Sequence, residues 1–217
     1  MICPLCKHTN LYLYHQDKKR SYQYCNTCHL VFVPPEFLPS PQEEYKRYQL
    51  HQNDTGSEGY VRFLNSFIAP LRRRLPPNSR GLDFGSGSVP VLTYLLQEEG
   101  FEVENYDPYF FNRRSVLEGK YDFVTCVETA EHFFNPAEEW GLISRLVKPG
   151  GWIGVKTEMI TEKTDFASWH YKSDITHVCF YSRLTFEWIG GRYNLSPEFE
   201  GNSMVFLKVG TEKQISL

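Results

Sequence analysis

Several features that would place this chain of 217 residues in a special class are missing. No apolar run approaches the roughly 20 residues of a membrane-spanning helix, which argues against an integral membrane protein. The opening residues MICPLCKHTN have no apolar signal-peptide core, so we expect a cytoplasmic protein. With 41% hydrophobic residues, the chain has enough for one α/β domain and a small accessory module.

A strong net charge is also missing, because the value of −3 is the sum of two unlike parts. Residues 1–80 carry 11 Lys and Arg against 6 Asp and Glu, whereas residues 81–217 carry 12 against 20. A basic front could attract a polyanion, but an excess of this size is also typical of an ordinary surface.

Four of the six cysteines form two CxxC pairs, Cys3–Cys6 and Cys25–Cys28. Two such turns can place four thiolates around one tetrahedral Zn²⁺, and the segments LYLYH and SYQYC between them predict a hairpin. A redox CxxC pair is the alternative, but it would stand singly before a helix. We therefore predict a zinc knuckle over residues 1–33, with a structural Zn²⁺ because so small a module buries little apolar surface.

Proline marks the next boundary. The segment VPPEFLPSPQ has four prolines in ten residues, which predicts a non-helical linker near residues 34–42. A helical apolar pattern then runs from Glu58 to Leu75. We divide the chain into the zinc knuckle 1–33, a Pro-rich linker and lid segment 34–57 and a main domain 58–217. His51, Asn53 and Tyr60 are candidate lid residues.

The main domain begins with RGLDFGSGSVPVLTYLLQEEG, a pattern typical of a strand, a glycine turn and a helix. Gly85 and Gly87 allow the backbone to approach a ligand, and we expect Ser88 to cap the helix. The next strand ends at Asp107, whose carboxylate can accept both hydroxyls of an adenosine ribose. The third glycine of a dinucleotide-binding turn is missing, and Asp83 can face a ligand's amino group, which favours S-adenosylmethionine over NAD.

The chain resembles class I S-adenosylmethionine-dependent methyltransferases over roughly residues 60–210. The segments LDFGSGSVPVL, YDP, YDFVTCVETAEHFFNP and LVKPGGWIGV carry this resemblance. It implies an α/β fold with a doubly wound, Rossmann-like sheet and a C-terminal antiparallel hairpin. Only about fourteen residues separate Asp107 from YDFVTC, so we expect the third strand to be lost or vestigial. The implied cofactor-binding residues are Asp83, Gly85, Ser86, Gly87, Asp107 and Val127.

The fourth strand is followed by Glu128, Glu131 and His132, spaced so that one helical turn would present all three to one side. This ExxEH segment resembles two subgroups of the family. One contains metal-assisted O-methyltransferases acting on quinol precursors, and the other 2′-O-methyltransferases acting on the 3′-terminal ribose of small RNAs. In the second subgroup a downstream histidine completes the site, and His177 matches it.

The resemblance implies a catalytic centre of Glu128, Glu131, His132 and His177, which would hold Mg²⁺, Mn²⁺ or Zn²⁺. Without a metal, His132 would be the general base, since its ordinary pKa of about 6.5 suits proton transfer. We expect three further residues to wall the acceptor pocket, namely Trp169, His170 and Tyr171.

We therefore predict a methyltransferase that acts on an oxygen of a small molecule or of a ribose. One alternative is an RNA methyltransferase that grips nucleic acid through the zinc knuckle, which the acidity of residues 81–217 disfavours. Another is a non-catalytic adaptor that binds the cofactor or a partner. The sequence specifies neither the acceptor nor the oligomeric state.

Overall fold

The structure, a computed structural model, describes residues 1–50 and 57–211, which form two β-sheets and five α-helices. The helices are α1 Pro41–Gln49, α2 Glu58–Arg72, α3 Val91–Glu98, α4 Pro136–Leu146 and α5 Arg183–Tyr193. The strands are β1 Leu11–Gln16, β2 Ser21–Cys25, β3 Val31–Phe32, β4 Arg80–Phe84, β5 Glu102–Tyr106, β6 Tyr121–Val127, β7 Val147–Lys156, β8 Cys179–Phe180, β9 Leu195–Glu200 and β10 Met204–Val209. Within these residues no helix combines the length and apolar character needed to cross a bilayer.

The larger sheet has the strand order β5-β4-β6-β7-β10-β9. Its first four strands are parallel, and β10 runs antiparallel to both β7 and β9. The predicted C-terminal hairpin is therefore confirmed. Between β5 and β6 the described chain forms an isolated bridge between Asp107 and Phe111 and the 3₁₀ helix Arg114–Glu118 but no strand of the sheet, so the expected loss of the third strand is also confirmed.

Helices cover both faces of this sheet, as the doubly wound prediction requires. On one face, α2 packs Phe67 against Phe206 of β10, with ring centroids 5.6 Å apart. On the other, α4 buries Trp140 fully beside Phe186 of α5, at 6.0 Å. The carboxyl ends of β4, β5 and β6 meet at one edge, where a doubly wound sheet binds its ligands.

The smaller sheet joins the N-terminal residues to the main domain. Its order is β1-β2-β3-β8, so three strands come from residues 1–33 and the fourth follows His177. Val31 pairs with Phe180, and Phe32 pairs with Cys179. The division of the chain at residues 33 and 57 stays a prediction, and this sheet crosses the first of those boundaries.

Two expectations about helix starts are wrong. Ser88 does not cap α3, which begins at Val91 after Pro90 without a side-chain cap. The Pro-rich segment is not free of helix, since Pro35–Phe37 is a 3₁₀ turn and α1 begins at Pro41. Proline is tolerated at the first position of a helix because the N–H that it lacks has no partner there.

Candidate functional site

The four cysteines of the two CxxC pairs lie together, with their sulfur atoms all within 4.8 Å of one another. Cys3 Sγ is 3.5 Å from Cys28 Sγ, and Cys6 Sγ is 3.4 Å from Cys25 Sγ. All four are free thiols. Zn–S bonds of about 2.3 Å in a tetrahedron require S···S separations of about 3.8 Å, so the four residues fit a zinc ion.

The two CxxC turns have the same backbone geometry. The N–H of Lys7 donates to Cys3 O at 3.0 Å, and the N–H of His29 donates to Cys25 O at 2.8 Å. Lys7 and His29 both have positive φ, 63° and 60°. Such left-handed residues cost free energy in non-glycine positions, and a paired occurrence next to four thiols suits a metal-binding knuckle.

A cleft of about 1130 Å³ opens at the carboxyl ends of β4, β5 and β6. Five of the six predicted cofactor-binding residues line it, namely Gly85, Ser86, Gly87, Asp107 and Val127. Gly85 and Gly87 have φ of +84° and +69°, and a Cβ at Gly85 would lie 2.2 Å from Thr129 Cγ2. The turn therefore needs glycine at Gly85 for both its conformation and its packing.

Asp83 is the sixth predicted cofactor-binding residue, and it does not line the cleft among the described residues. It is 3% exposed and accepts hydrogen bonds from Thr125 Oγ1 at 2.9 Å and Thr93 Oγ1 at 3.2 Å. Burial raises the pKa of Asp83 to about 6, against the lowering effect of the two hydroxyls. Asp83 thus connects β4 to α3 and β6 by hydrogen bonds. The expectation that it faces a ligand's amino group is not supported.

Asp107 accepts three backbone hydrogen bonds in the lining of the cleft. Its Oδ2 accepts the N–H of Gly87 at 3.0 Å, and its Oδ1 accepts the N–H groups of Tyr109 and Phe110 at 2.8 and 3.1 Å. The carboxylate is 8% exposed and still lines the cleft. It therefore joins the glycine turn to the loop after β5, at the place predicted for ribose hydroxyls.

Glu128 leaves β6 in a conformation that the helical spacing did not predict. Its φ is +49°, and its N–H donates to Lys156 O at 2.8 Å, which extends the pairing of β6 with β7. A 3₁₀ helix follows at Ala130–His132. Glu128 is consequently outside the helical turn and lies exposed on the cleft wall.

Glu131, His132 and His177 converge beside the cleft, which the two histidines line and which Glu131, among the described residues, does not. A carboxylate oxygen and one ring nitrogen from each histidine all lie within 4.8 Å of one another, a group that does not include Glu128 among the described residues. The imidazole centroids are 4.8 Å apart. The predicted set of four ligands is thus reduced to three that meet.

Backbone carbonyls orient both imidazoles. His132 Nδ1 donates to Thr176 O at 3.0 Å, and His177 Nδ1 donates to Tyr171 O at 2.7 Å. In a neutral imidazole, a proton on Nδ1 leaves the lone pair on Nε2. Both rings are thus held as the tautomer whose Nε2 can accept a proton or bind a metal.

Glu131 is fully buried and only partly hydrogen-bonded. Its Oε1 accepts the Tyr171 hydroxyl at 2.5 Å, and Tyr171 also contacts Thr157 Oγ1 at 3.0 Å. Its Oε2 has no hydrogen-bond partner among the described residues. Burial raises the pKa of Glu131, and the Tyr171 hydrogen bond opposes this. A carboxylate with one unpartnered oxygen, grouped with two imidazole nitrogens within 4.8 Å, is a donor set that fits a divalent metal.

Helix α1 covers the cleft with residues that the sequence analysis did not select. Glu44, which is 8% exposed, accepts the hydroxyls of Tyr48 and Tyr109, each at 2.8 Å. Arg47 pairs with Asp174 at 2.7 Å, three residues before His177. The spacing of Glu44 and Tyr48 on one helix face was the available signal. Of the predicted lid residues, Tyr60 lines the cleft, and His51 and Asn53 lie outside the described residues.

The predicted walls of the acceptor pocket are partly in place. His170 and Tyr171 line the cleft. Trp169 does not line it among the described residues; its Nε1 donates to Glu158 at 3.0 Å, and its ring packs 5.8 Å from that of Phe180.

Known proteins with related sequences are methyltransferases. Residues 57–198 match a family model described as "Methyltransferase domain". The ubiquinone biosynthesis O-methyltransferase of Shewanella pealeana is 33% identical over 84 residues, which cover 39% of this chain and 36% of that protein. The protein of the same name from Burkholderia orbicola is 26% identical over 160 residues, 60% of this chain and 68% of its own length. The chain thus spans only about a third of the first relative.

The fold is shared with solved structures. The 1,6-didemethyltoxoflavin-N1-methyltransferase of Burkholderia thailandensis superposes with a TM-score of 0.55, covering 91% of this chain and 99% of that one at 13% identity. Its structure contains S-adenosylhomocysteine. At 13% identity, this similarity shows a shared fold only.

Proposed function

Because this chain belongs to the methyltransferase domain family, we propose that it transfers the methyl group of S-adenosylmethionine to an oxygen of a small molecule. The observation that carries the proposal is the convergence of Glu131, His132 and His177 within 4.8 Å, with both histidines lining the cleft. The names of the relatives, O-methyltransferases of ubiquinone biosynthesis, support oxygen as the acceptor atom.

The cofactor would lie along Gly85, Ser86, Gly87 and Asp107, with Val127 beside it, since these residues line the cleft. Backbone without side chains allows a ligand to approach the glycine turn closely. Asp107, at the end of β5, offers carboxylate oxygens for the ribose hydroxyls. Asp83 stays behind this surface as a structural residue.

In the proposed reaction, the acceptor oxygen attacks the methyl carbon and the carbon–sulfur bond breaks, which leaves a neutral thioether. The hydroxyl proton passes to Nε2 of His132, because Nδ1 of that ring is already a donor to Thr176 O. The imidazolium that forms is held by the same carbonyl. His177 and Glu131 lie beside it, and Glu131 in its ionised form would stabilise the protonated ring.

A divalent ion fits the same three residues, and it would lower the pKa of the acceptor hydroxyl. One carboxylate and two imidazoles favour Zn²⁺ over Mg²⁺, which prefers oxygen ligands. The metal content of the protein distinguishes the metal-assisted mechanism from the one in which His132 alone is the base. With a metal at this site, wild-type protein should contain about two equivalents and Glu131→Gln about one, which the four cysteines retain. If both proteins contain one equivalent, His132 acts as a base without a metal.

A small acceptor is favoured over RNA by the charge and packing near the cleft. Among the described residues, its lining has the guanidinium groups of Arg47 and Arg114 against the carboxylates of Glu44, Asp107, Glu138 and Asp174, while desolvation raises the pKa values of Glu128 and Glu139. Such a lining repels polyanions. The knuckle's Tyr22 is fully buried, so its ring is not available to stack on a base.

Transfer of labelled methyl from S-adenosylmethionine into a cell extract tests the proposal. The extract is separated afterwards into RNA, protein and small molecules. We expect label in the small-molecule fraction. Label in RNA would support the alternative of an RNA methyltransferase, and cofactor binding without any labelled product would support the adaptor.

A further inference from the structure

Arg20 lies in the turn between β1 and β2 and is 7% exposed. Its guanidinium donates to three backbone carbonyls of a distant loop: Nη1 to Ile175 O at 3.0 Å, and Nη2 to Lys172 O at 2.5 Å and to Asp174 O at 2.8 Å. Its Nε donates to the Tyr22 hydroxyl at 2.8 Å. A planar guanidinium with several donors in fixed directions can hold three carbonyls at once.

Asp17 strengthens this contact from the same turn. Its Oδ2 lies 3.2 Å from Lys172 Nζ, and the lysine side chain is only 10% exposed. The N–H groups of Lys19 and Arg20 donate to Asp17 Oδ1 at 2.8 and 3.0 Å. Burial would raise the pKa of Asp17, but these hydrogen bonds hold it below its usual range, so the residue stays a carboxylate. The turn is therefore hydrogen-bonded both within itself and to the loop.

The clamped loop separates the two carbonyls that orient the histidines. Tyr171 O precedes it and accepts His177 Nδ1, and Thr176 O follows it and accepts His132 Nδ1. The three carbonyls that Arg20 holds belong to residues 172–175, between those two acceptors. A change at Arg20 would thus reach both imidazoles through a few backbone bonds.

A second connection runs through the strands. The N–H of Val33 donates to Val178 O at 2.9 Å, and the N–H of Val178 donates to Glu131 O at 2.8 Å. Val33 follows β3 of the N-terminal sheet, and Val178 follows His177. The N-terminal sheet is therefore linked through Val178 to Glu131, and Val178 is the residue that follows His177.

We propose that the turn of residues 17–20 fixes the reaction centre and that Arg20 is a positioning residue for methyl transfer. This rests on the proposed function only in placing the reaction at Glu131, His132 and His177. Arg20 does not contact these side chains; it acts through the carbonyls that set the tautomer and direction of the two rings. The N-terminal module thereby becomes part of the catalytic apparatus.

The test compares Arg20→Lys and Arg20→Ala with Arg74→Ala. Arg74 is a matched control, since its side chain is 14% exposed and pairs with Glu198 and Glu200 on the C-terminal hairpin. Nitrogen NMR of ¹⁵N-histidine-labelled protein reports which ring nitrogen carries the proton. A lysine keeps the charge but cannot reach three carbonyls, so this variant decides the question even if Arg20→Ala fails to fold.

We expect His132 and His177 to be protonated on Nδ1 in the wild type and to lose this preference in Arg20→Lys. The rate of methyl transfer to the labelled fraction should fall about tenfold to a hundredfold in Arg20→Lys, while the dissociation constant of S-adenosylmethionine stays within about twofold of the wild-type value. Arg74→Ala should lose thermal stability without either change.

The proposal would be overturned if Arg20→Lys kept the histidine spectra and the methyl-transfer rate of the wild type. It would also be overturned if Arg74→Ala showed the same spectral changes as Arg20→Lys. Failure of the proposed function has a different signature, because His132→Ala would then keep full methyl transfer. The histidine spectra do not depend on activity, so the two failures can be told apart.

Discussion

The surroundings of Asp83 and Asp107 decide which of the two carboxylates is available to a ligand. Asp83 and Asp107 end neighbouring parallel strands, yet Asp83 is enclosed by two threonines and Asp107 faces the cleft. The sequence placed both at the strand ends correctly, because an apolar strand followed by a glycine turn is a strong local pattern. Which of them faces a ligand depends on Thr93 and Thr125, which come from other elements.

Asp83 should make stability depend on pH. Burial raises the pKa of Asp83 from 3.8 to about 6 in the folded state. The protonated group therefore contributes its full stabilisation below about pH 3.8, and this contribution is lost as the pH rises through about 6. Relative to Asp83→Asn, the wild-type free energy of unfolding should fall by about 1 kcal/mol between about pH 5 and about pH 7. Urea unfolding of both proteins measures this. A difference that is constant over that range would contradict the assignment.

Asp107 should control cofactor affinity. In Asp107→Asn the amide nitrogen opposes the N–H of Gly87, and one ribose acceptor is lost, so calorimetry should show S-adenosylmethionine binding at least about tenfold weaker. Asp122→Asn is the control, because Asp122 accepts the N–H of Arg80 at the opposite end of β4. Equal weakening by both changes would indicate a general loss of sheet stability.

At the scale of elements, the strands were predictable and the turn after β6 was not. Alternation and apolar runs specify β4, β5 and β6 locally. The ExxEH spacing predicted a helical turn with Glu128 included, but Glu128 has positive φ and continues the pairing with β7. The stabilisation from that long-range hydrogen bond cannot be predicted from a local sequence pattern.

Helix α1 should retain the cofactor. Arg47 joins it to Asp174 by an ion pair of 2.7 Å, although the arginine side chain is 40% exposed, so we expect a modest effect. Arg47→Ala should speed hydrogen exchange in α1 and the dissociation of S-adenosylmethionine severalfold. Lys46→Ala, an exposed change on the same helix, should do neither. Identical exchange in both variants would argue against a lid held by this pair.

For the whole molecule, the pairing of β3 with β8 is the feature that sequence reasoning missed. Two strands of two residues each, separated by about 150 positions, leave no periodic signal. Their pairing merges the knuckle with the main core, since Cys3, Cys25 and Cys28 lie in one buried cluster with Val124 and Trp140.

A shared core predicts one unfolding transition. Circular dichroism, tryptophan fluorescence and zinc release, which we expect from the four cysteines, should show the same midpoint in urea, because the knuckle cannot separate without exposing the core. Cys25→Ser should lower that common midpoint. Release of zinc at a clearly lower urea concentration than the loss of tryptophan fluorescence would show that the knuckle unfolds independently.

The central claim is that methyl transfer occurs at Glu131, His132 and His177. The rate of methyl transfer to the labelled fraction tests it in His132→Ala and His177→Ala, with the exposed His8→Ala as control. We predict that both site variants lose at least about a hundredfold in rate, because the proton acceptor or its neighbour is gone, while binding S-adenosylmethionine as the wild type does. Full activity in both variants, with cofactor still bound, would contradict the account.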